Sequence, residues 1–312
     1  MKTIQLYENL QASQLVLGLM RINELTAPQL DRLLHSALDL GINLFDLADI
    51  YGSIYGECET LVGLSLKRNP GLRHKMLIQT KCAIVMESHG GTSRYDFSKG
   101  YLLKAVEGSL KCLGIEKIDI LLLHRPDALM EPEEVAETFT LLQTAGKVDH
   151  FGVSNFNPSQ MELLQSSVSQ PLRINQLQFG PAHTGMLDYG LRANTTLPGS
   201  ENRDGAILDY CRLKHITIQA WSPFLFGLDG TLIMDNPDFV ALNKAFREIG
   251  NAHGISPNAV VSAWISRHPA GIQTMAGTTK PERLAEIAKG IETPLSREEW
   301  YKIYIAGGKK LP

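Results

Sequence analysis

The sequence predicts a single (β/α)8 barrel, a TIM barrel of the α/β class, over residues 1–312, and three observations carry that expectation. Eight strand-sized apolar runs alternate with longer helical patterns almost from end to end. Such alternation gives parallel strands joined by right-handed crossovers. No G-x-G-x-x-G follows an early strand and no G-x-x-x-x-G-K-[ST] loop is present. The competing open doubly wound sheet therefore lacks its phosphate signature. No break in composition suggests a linker, and a barrel with long loops uses 312 residues as one domain.

The expected strands are Leu15–Leu19, Ile42–Asp46, Met76–Lys81, Ile118–His124, His150–Ser154, Ile174–Gln178, Ile216–Trp221 and Ile272–Ala276. Between the first two, Thr26 caps a helix beginning Ala27-Pro28, with Gln29 at the reciprocal capping-box position. Gly114 and Gly146 follow helical stretches where a left-handed residue ends them. Asn157-Pro158 and Ser256-Pro257 each place a side-chain oxygen before a first-turn proline. Ser296-Arg297-Glu298-Glu299 opens a last helix, outside the eight repeats, through Trp300 and Tyr304. Three irregular segments follow strands and so fall at the C-terminal mouth, where barrels build their sites. They are Ala83–Ser98, with its run His89-Gly90-Gly91-Thr92-Ser93, then Phe179–Asp204 and Pro223–Pro237. Phe179, Met186, Leu187, Tyr189 and Leu191 give the second an apolar content that suits a lid.

Composition narrows the classes. Thirty basic and thirty-three acidic residues leave a formal net charge of -3, against an electrostatic nucleic-acid or polybasic membrane binder. Cys58, Cys82, Cys112 and Cys211 form no CxxC pair and no Cys/His zinc spacing, as expected of reduced thiols in a cytoplasmic protein. No apolar run is long enough to span a bilayer, and Met1–Gln14 lacks a signal-peptide core. The Asn194-Thr195-Thr196 sequon is then coincidental.

Ionisable residues at the ends of neighbouring strands are the informative feature. The second strand ends in Asp46, with Asp49 and Tyr51 just beyond; the third ends in Lys81 and the fourth in His124, followed by Arg125. Each has a plainer reading alone: a turn cap, an exposed lysine, a backbone-bonded core histidine, a packed aromatic. Together they form an arc suited to protonating a carbonyl oxygen. A tyrosine titrating near pH ~10 needs help to release its proton. A lysine beside it stabilises phenolate, an aspartate keeps the lysine charged, and a histidine polarises the carbonyl. No protein group supplies electrons, so a hydride-carrying cofactor has to.

These residues resemble the aldo-keto reductase family. The likeness runs through Asn43-Leu-Phe-Asp46-Leu-Ala-Asp49-Ile-Tyr51-Gly52, Gln79-Thr80-Lys81 and Asp119-Ile-Leu-Leu-Leu-His124-Arg-Pro-Asp127. It continues in Gly146-Lys147-Val148, Phe151-Gly152-Val153-Ser154-Asn155-Phe156, Asn175-Gln176 and Ala220-Trp221-Ser222-Pro223. The resemblance implies a barrel binding NADPH, with NADH left open, and Tyr51 as general acid assisted by Lys81, Asp46 and His124. It places Ser154, Asn155 and Gln176 at the nicotinamide carboxamide, and Trp221, where tyrosine is common, stacked on the ring. Ser222, Phe224 and Gly227 would approach the pyrophosphate, while Gly18 and Met20 line the nicotinamide pocket. In Ala276-Gly277-Thr278-Thr279-Lys280-Pro281-Glu282-Arg283, Gly277 stands where many members carry the lysine that meets the 2′-phosphate. Thr278, Lys280 and Arg283, opening a helix whose N-terminus favours anions, can compensate.

The expected function is NADPH-dependent reduction of an aldehyde or ketone by a monomer or weak oligomer, with no metal and a small carbonyl compound as partner. A nucleotide-binding regulatory subunit resembling the potassium-channel β-subunits is the alternative. A barrel isomerase or aldolase using Lys81 as a Schiff base is a third reading, and it needs a desolvated lysine.

Overall fold

The computed structural model describes residues 1–89, 92–227 and 230–312. Gly90 and Gly91 of the His89–Ser93 run, and Leu228 and Asp229 of the Pro223–Pro237 segment, lie outside the described residues. Eight parallel strands close one barrel: β1 (Leu15–Gly18), β2 (Leu44–Asp46), β3 (Leu77–Cys82), β4 (Ile118–Leu123), β5 (Val148–Ser154), β6 (Ile174–Gln178), β7 (Thr217–Trp221) and β8 (Gln273–Ala276). Chain neighbours are ring neighbours throughout, and β8 returns to β1 through Thr274↔Leu15 and Ala276↔Leu17. Each strand ends within two residues of its expected bounds.

Helices α1 (Ala27–Asp39), α2 (Glu57–Arg68), α3 (Lys99–Leu113), α4 (Pro132–Thr144) and α5 (Pro158–Gln165) cross over between the first six strands. The later crossovers hold α6 (Gly185–Leu191), α7 (Ile207–Leu213), α8 (Val240–His253) and α9 (Pro257–Ser266). After β8 come α10 (Pro281–Glu292) and α11 (Arg297–Ala306). The punctuation behaves as expected. Asn157 Oδ1 accepts from Gln160 N–H at 3.0 Å, and Ser296 Oγ from Glu299 N–H at 3.1 Å. Gly114 and Gly146 take φ of +63° and +69°, which glycine adopts without a Cβ clash.

The barrel interior is layered. An N-terminal hairpin that the strand pattern did not single out (Thr3–Tyr7 against Leu10–Ser13) seals the floor. Its Leu6, Tyr7 and Ala12 pack with Val16, Leu44, Ile120, Leu122, Ile174 and Met275. The Tyr7 hydroxyl donates to Phe151 O at 2.6 Å, satisfying the polar end of a buried ring. Above the floor lies a layer of buried glutamines, and above that the charged residues of the mouth. Outside the barrel, apolar strand faces meet the helices, with Phe139 stacked on Phe151 at 4.0 Å.

The Phe179–Asp204 segment is not a lid. Phe179 stacks on Trp264 of α9 at 5.2 Å, and Met186 and Leu187 are buried in the barrel–helix core. Asp188 accepts from Tyr304 Oη of α11 at 2.8 Å. The apolar content that suited a lid instead fastens the segment onto α9 and α11, themselves joined by reciprocal indole-to-carbonyl bonds between Trp264 and Trp300 at 3.0 and 3.1 Å.

Two outer helices approach so closely that one glycine is obligatory. A Cβ on Gly290 of α10 would overlap Ala259 O and Ser262 Oγ of α9, and Ser262 Oγ also donates to Ile287 O at 2.7 Å. Gly290→Ala is expected to cost about 2–3 kcal/mol through overpacking. A denaturant melt should show a lower midpoint at unchanged slope; an unchanged midpoint would show that the helices separate freely.

Candidate active site

Lys81 points into the barrel from β3 and is completely buried, an expensive place for an ammonium unless its donors are satisfied. All three are. Nζ donates to Asp46 Oδ2 at 2.6 Å, to Leu47 O at 2.6 Å and to Tyr51 Oη at 3.1 Å. The β2–β3 register sets Asp46 opposite Gln79, two residues before Lys81, so a side chain reaching up the barrel meets the carboxylate. Tyr51 arrives from the loop after β2, held by Tyr51 N–H to Ala48 O at 3.1 Å and by Cys58 N–H to Tyr51 O at 3.2 Å. His124, just past β4, is fixed by its N–H to Cys82 O at 3.0 Å and sets its ring edge-on to Tyr51, centroids 6.0 Å apart. The four residues of the predicted arc are thus brought together.

The electrostatics assign protonation states. Burial pulls Lys81 down, but Asp46 and Tyr51 outweigh it and hold the ammonium above its ordinary pKa. Burial raises the Tyr51 phenol, with Lys81 opposing and Asp46 reinforcing, so the proton stays on near neutrality. Enclosure by the rim, then the charges of Lys81 and Arg125, push His124 well below its usual range and leave the imidazole neutral. Its Nδ1 is buried without a hydrogen-bond partner among the described residues.

Beneath Asp46 lies a chain of glutamines, of which sequence reasoning singled out Gln176 alone, and for another task. Gln79 and Gln176 donate to Asp46 Oδ1 at 2.6 and 3.1 Å, and both reach Gln219 Oε1. Gln219 donates to Gln79 and Gln273, each at 3.0 Å, and Gln273 to Ser13 O of the floor hairpin at 2.7 Å. The Gln176 amide nitrogen therefore faces down into the barrel and not up to the mouth. The signal was a glutamine at an inward position of each of four strands.

Behind β3, outside the barrel, Asp49 has a buried acidic neighbour, Glu59, that sequence reasoning did not single out. Asp49 and, on α2, Glu59 are buried; Glu59 Oε1 accepts from Thr80 Oγ1 at 2.6 Å, while Asp49 Oδ1 and Glu59 Oε2 lack hydrogen-bond partners among the described residues. Burial drives both carboxyls up, and Glu59 pushes Asp49 further. Cys82, against the same pair, is a buried thiol raised well above its normal range by burial and these acids, as suits a packing residue.

The other predicted residues ring the mouth. Ser154 Oγ donates to Gln176 O at 2.9 Å; Asn155 Nδ2 donates to Ser154 Oγ at 2.8 Å and Asn155 Oδ1 accepts from Trp221 Nε1 at 3.1 Å. Asn155 and Ser222 take φ of +62° and +48° at the ends of β5 and β7, left-handed backbone that costs non-glycine residues energy and clusters at functional sites. Gly18 faces Asp46 across the β1–β2 pair, and a Cβ there would sit 3.8 Å from Gly277 Cα, so the β1 and β8 rims touch. Thr278 Oγ1 accepts from Lys280 N–H at 3.2 Å ahead of α10, whose first turn carries Arg283; Lys280 and Arg283 are exposed. Met20 is 57% exposed at the rim, whereas Phe224 is half-buried and packs on the core. Gly227 is held by Gln178 Nε2 to its carbonyl at 3.1 Å.

Comparison with known proteins decides the family: residues 14–306 match the Aldo/keto reductase family model. The chain belongs to that family. Among its aldo/keto reductase relatives, an uncharacterized oxidoreductase of Bacillus subtilis, YcsN, is 38% identical over 98% of both chains. A 6-dehydroglucose reductase of Agrobacterium fabrum is 34% identical over all of both chains. An aldo-keto reductase of Klebsiella pneumoniae, crystallised in complex with NADPH, superposes with a TM-score of 0.74 at 23% identity, covering 97% of this chain and 93% of that one. That superposition shows the shared barrel. Among the described residues no helix is long and apolar enough to cross a membrane.

The unpartnered carboxyl oxygen of Asp49 yields a test with a definite sign. Its folded pKa lies above the unfolded ~3.9, so the fold loses stability as pH rises from that value through the folded one. Asp49→Asn, with no charge to bury, is expected to melt a few degrees above the wild-type protein at pH ~8, the gap closing toward pH ~4. A variant that melts lower at pH ~8 would mean the carboxylate is paired.

Proposed function

We propose that the protein reduces an aldehyde or ketone to an alcohol with NADPH, using Tyr51 as the proton donor. The observation that carries this reading is the buried Asp46–Lys81–Tyr51 chain, with bonds of 2.6 and 3.1 Å ending on a protonated phenol at the mouth. NADPH, when bound, supplies the hydride. Tyr51 Oη gives its proton to the carbonyl oxygen as that oxygen gains charge. Lys81 stabilises the phenolate left behind, and Asp46, braced by Gln79 and Gln176, keeps Lys81 charged. Neutral His124 orients and polarises the same oxygen.

The chain's residues fit the cofactor. Asn155 and Trp221 are tied together at the β5 and β7 rims, with Ser154 beside them, in a polar cradle with an aromatic wall. At the other end, the N-cap of α10 makes no side-chain capping bond, and Lys280 and Arg283 carry no ion pair among the described residues. A helix N-terminus with two uncommitted cations suits a phosphate. Gln176 would have to turn its amide from Asp46 to meet a carboxamide. The fully hydrogen-bonded, charged Lys81 is not the free amine that a Schiff base requires.

Tyr51→Phe is expected to lower kcat for NADPH-dependent aldehyde reduction by ~10²–10⁴-fold, the span of general acid catalysis. NADPH affinity, measured by fluorescence titration, should stay within about ten-fold, since a phenolic oxygen adds one hydrogen bond at most. Undiminished turnover would remove Tyr51 from the mechanism.

A further inference from the structure

Arg125 follows His124 at the mouth, and nothing in the reductive chemistry uses it. Its guanidinium lies over the Trp221 ring, 5.9 Å from the centroid, and its charge is felt at His124. The side chain is half-buried, and its N–H groups make no hydrogen bond or ion pair with any described residue. Two other cations on this side of the barrel are committed, Lys81 to Asp46 and Arg94 to Asp96 at 3.0 Å, and Lys280 and Arg283 belong to the phosphate end of the cofactor cradle. The neighbouring carboxylate, Asp127, is spent on the backbone N–H groups of Phe97 and Leu129, both at 2.9 Å.

An arginine held over an aromatic ring by a cation–π contact, with its N–H groups free, is pre-organised for bidentate recognition of a planar or tetrahedral anion. It is costly to half-bury without one. We propose that Arg125 recognises an anionic group on the substrate, so that the preferred substrates are carbonyl compounds bearing a carboxylate or a similar oxyanion. Such an anion would meet the free N–H edge of Arg125 beside the half-buried Trp221, leaving the carbonyl to reach Tyr51 and His124. The inference rests on the carbonyl-reductase reading and adds a substrate class to it.

The test compares matched pairs in the NADPH-loaded wild-type enzyme: 4-oxobutanoate against butanal, and 4-carboxybenzaldehyde against benzaldehyde. The anionic member is expected to have a kcat/KM about 10- to 100-fold higher, the worth of hydrogen bonds between charged groups. In Arg125→Met the ratio should collapse toward unity, and Arg125→Lys should restore part of it. A second readout needs no turnover: benzoate should quench Trp221 fluorescence in the cofactor-free protein, with Kd weakened about ten-fold or more in Arg125→Met. Equal turnover of both members by the wild type would overturn the proposal while leaving the reductase reading intact. Turnover of neither member would instead sink the reading, and the proposal with it unless benzoate binding still depends on Arg125. Weakened NADPH binding in Arg125→Met with the substrate ratio unchanged would assign Arg125 to the cofactor, and so also overturn it.

Discussion

A buried ammonium with three hydrogens needs three acceptors, and the arrangement of the mouth follows from that requirement. Lys81 finds them in a carboxylate, a backbone carbonyl and a phenol, each from the end of β2 or the loop beyond it. The β2–β3 register therefore cannot slip without leaving a charge unpaired inside the barrel, a penalty of several kcal/mol. The loop carrying Tyr51 is pinned by the same ammonium. Structure and chemistry draw on one set of bonds.

Asp46 is itself braced from below. Its second oxygen accepts from two amides, and the amide chain continues through Gln219 and Gln273 to the floor hairpin. Dipoles fixed in place before any substrate arrives do the work that water does at a surface, without having to reorganise. The barrel core here is thus polar at mid-height and apolar at its base, and the gradient runs toward the mouth.

Much of this was legible in the sequence, for particular physical reasons. The eight strands stood out because barrel strands are buried on both faces and read as continuous apolar runs. Asp46, Tyr51, Lys81 and His124 stood out because ionisable residues at the ends of consecutive strands must converge once the ring closes. The floor hairpin did not, since its two short alternating runs find their partner inside a barrel that does not exist until the fold does. The glutamine layer was hidden by residue type: glutamine is ordinarily a surface residue, and its burial depends on partners from four separate strands. Glu59 could not be told from Glu57 two positions earlier, although it faces Thr80 across a buried helix–strand contact. The apolar residues after Phe179 were visible, but composition does not say which surface a segment covers.

Ring closure between β1 and β8 has a temporal side. Gln14 O accepts from Thr274 N–H at 3.0 Å, and Ser13 O from Gln273, so the innermost hydrogen bonds join residues about as far apart in the chain as the fold contains. On a ribosome adding ~5–20 residues per second, the first strands wait many seconds for the last. During that interval β1 presents an open edge, and the interior glutamines must be wetted by water. Non-local closure of this kind is slow and exposes unpaired strand edges. The nascent chain is therefore most vulnerable to misassociation just before residue 276 emerges, and Lys81 acquires its fully enclosed setting only once β8 has joined the ring.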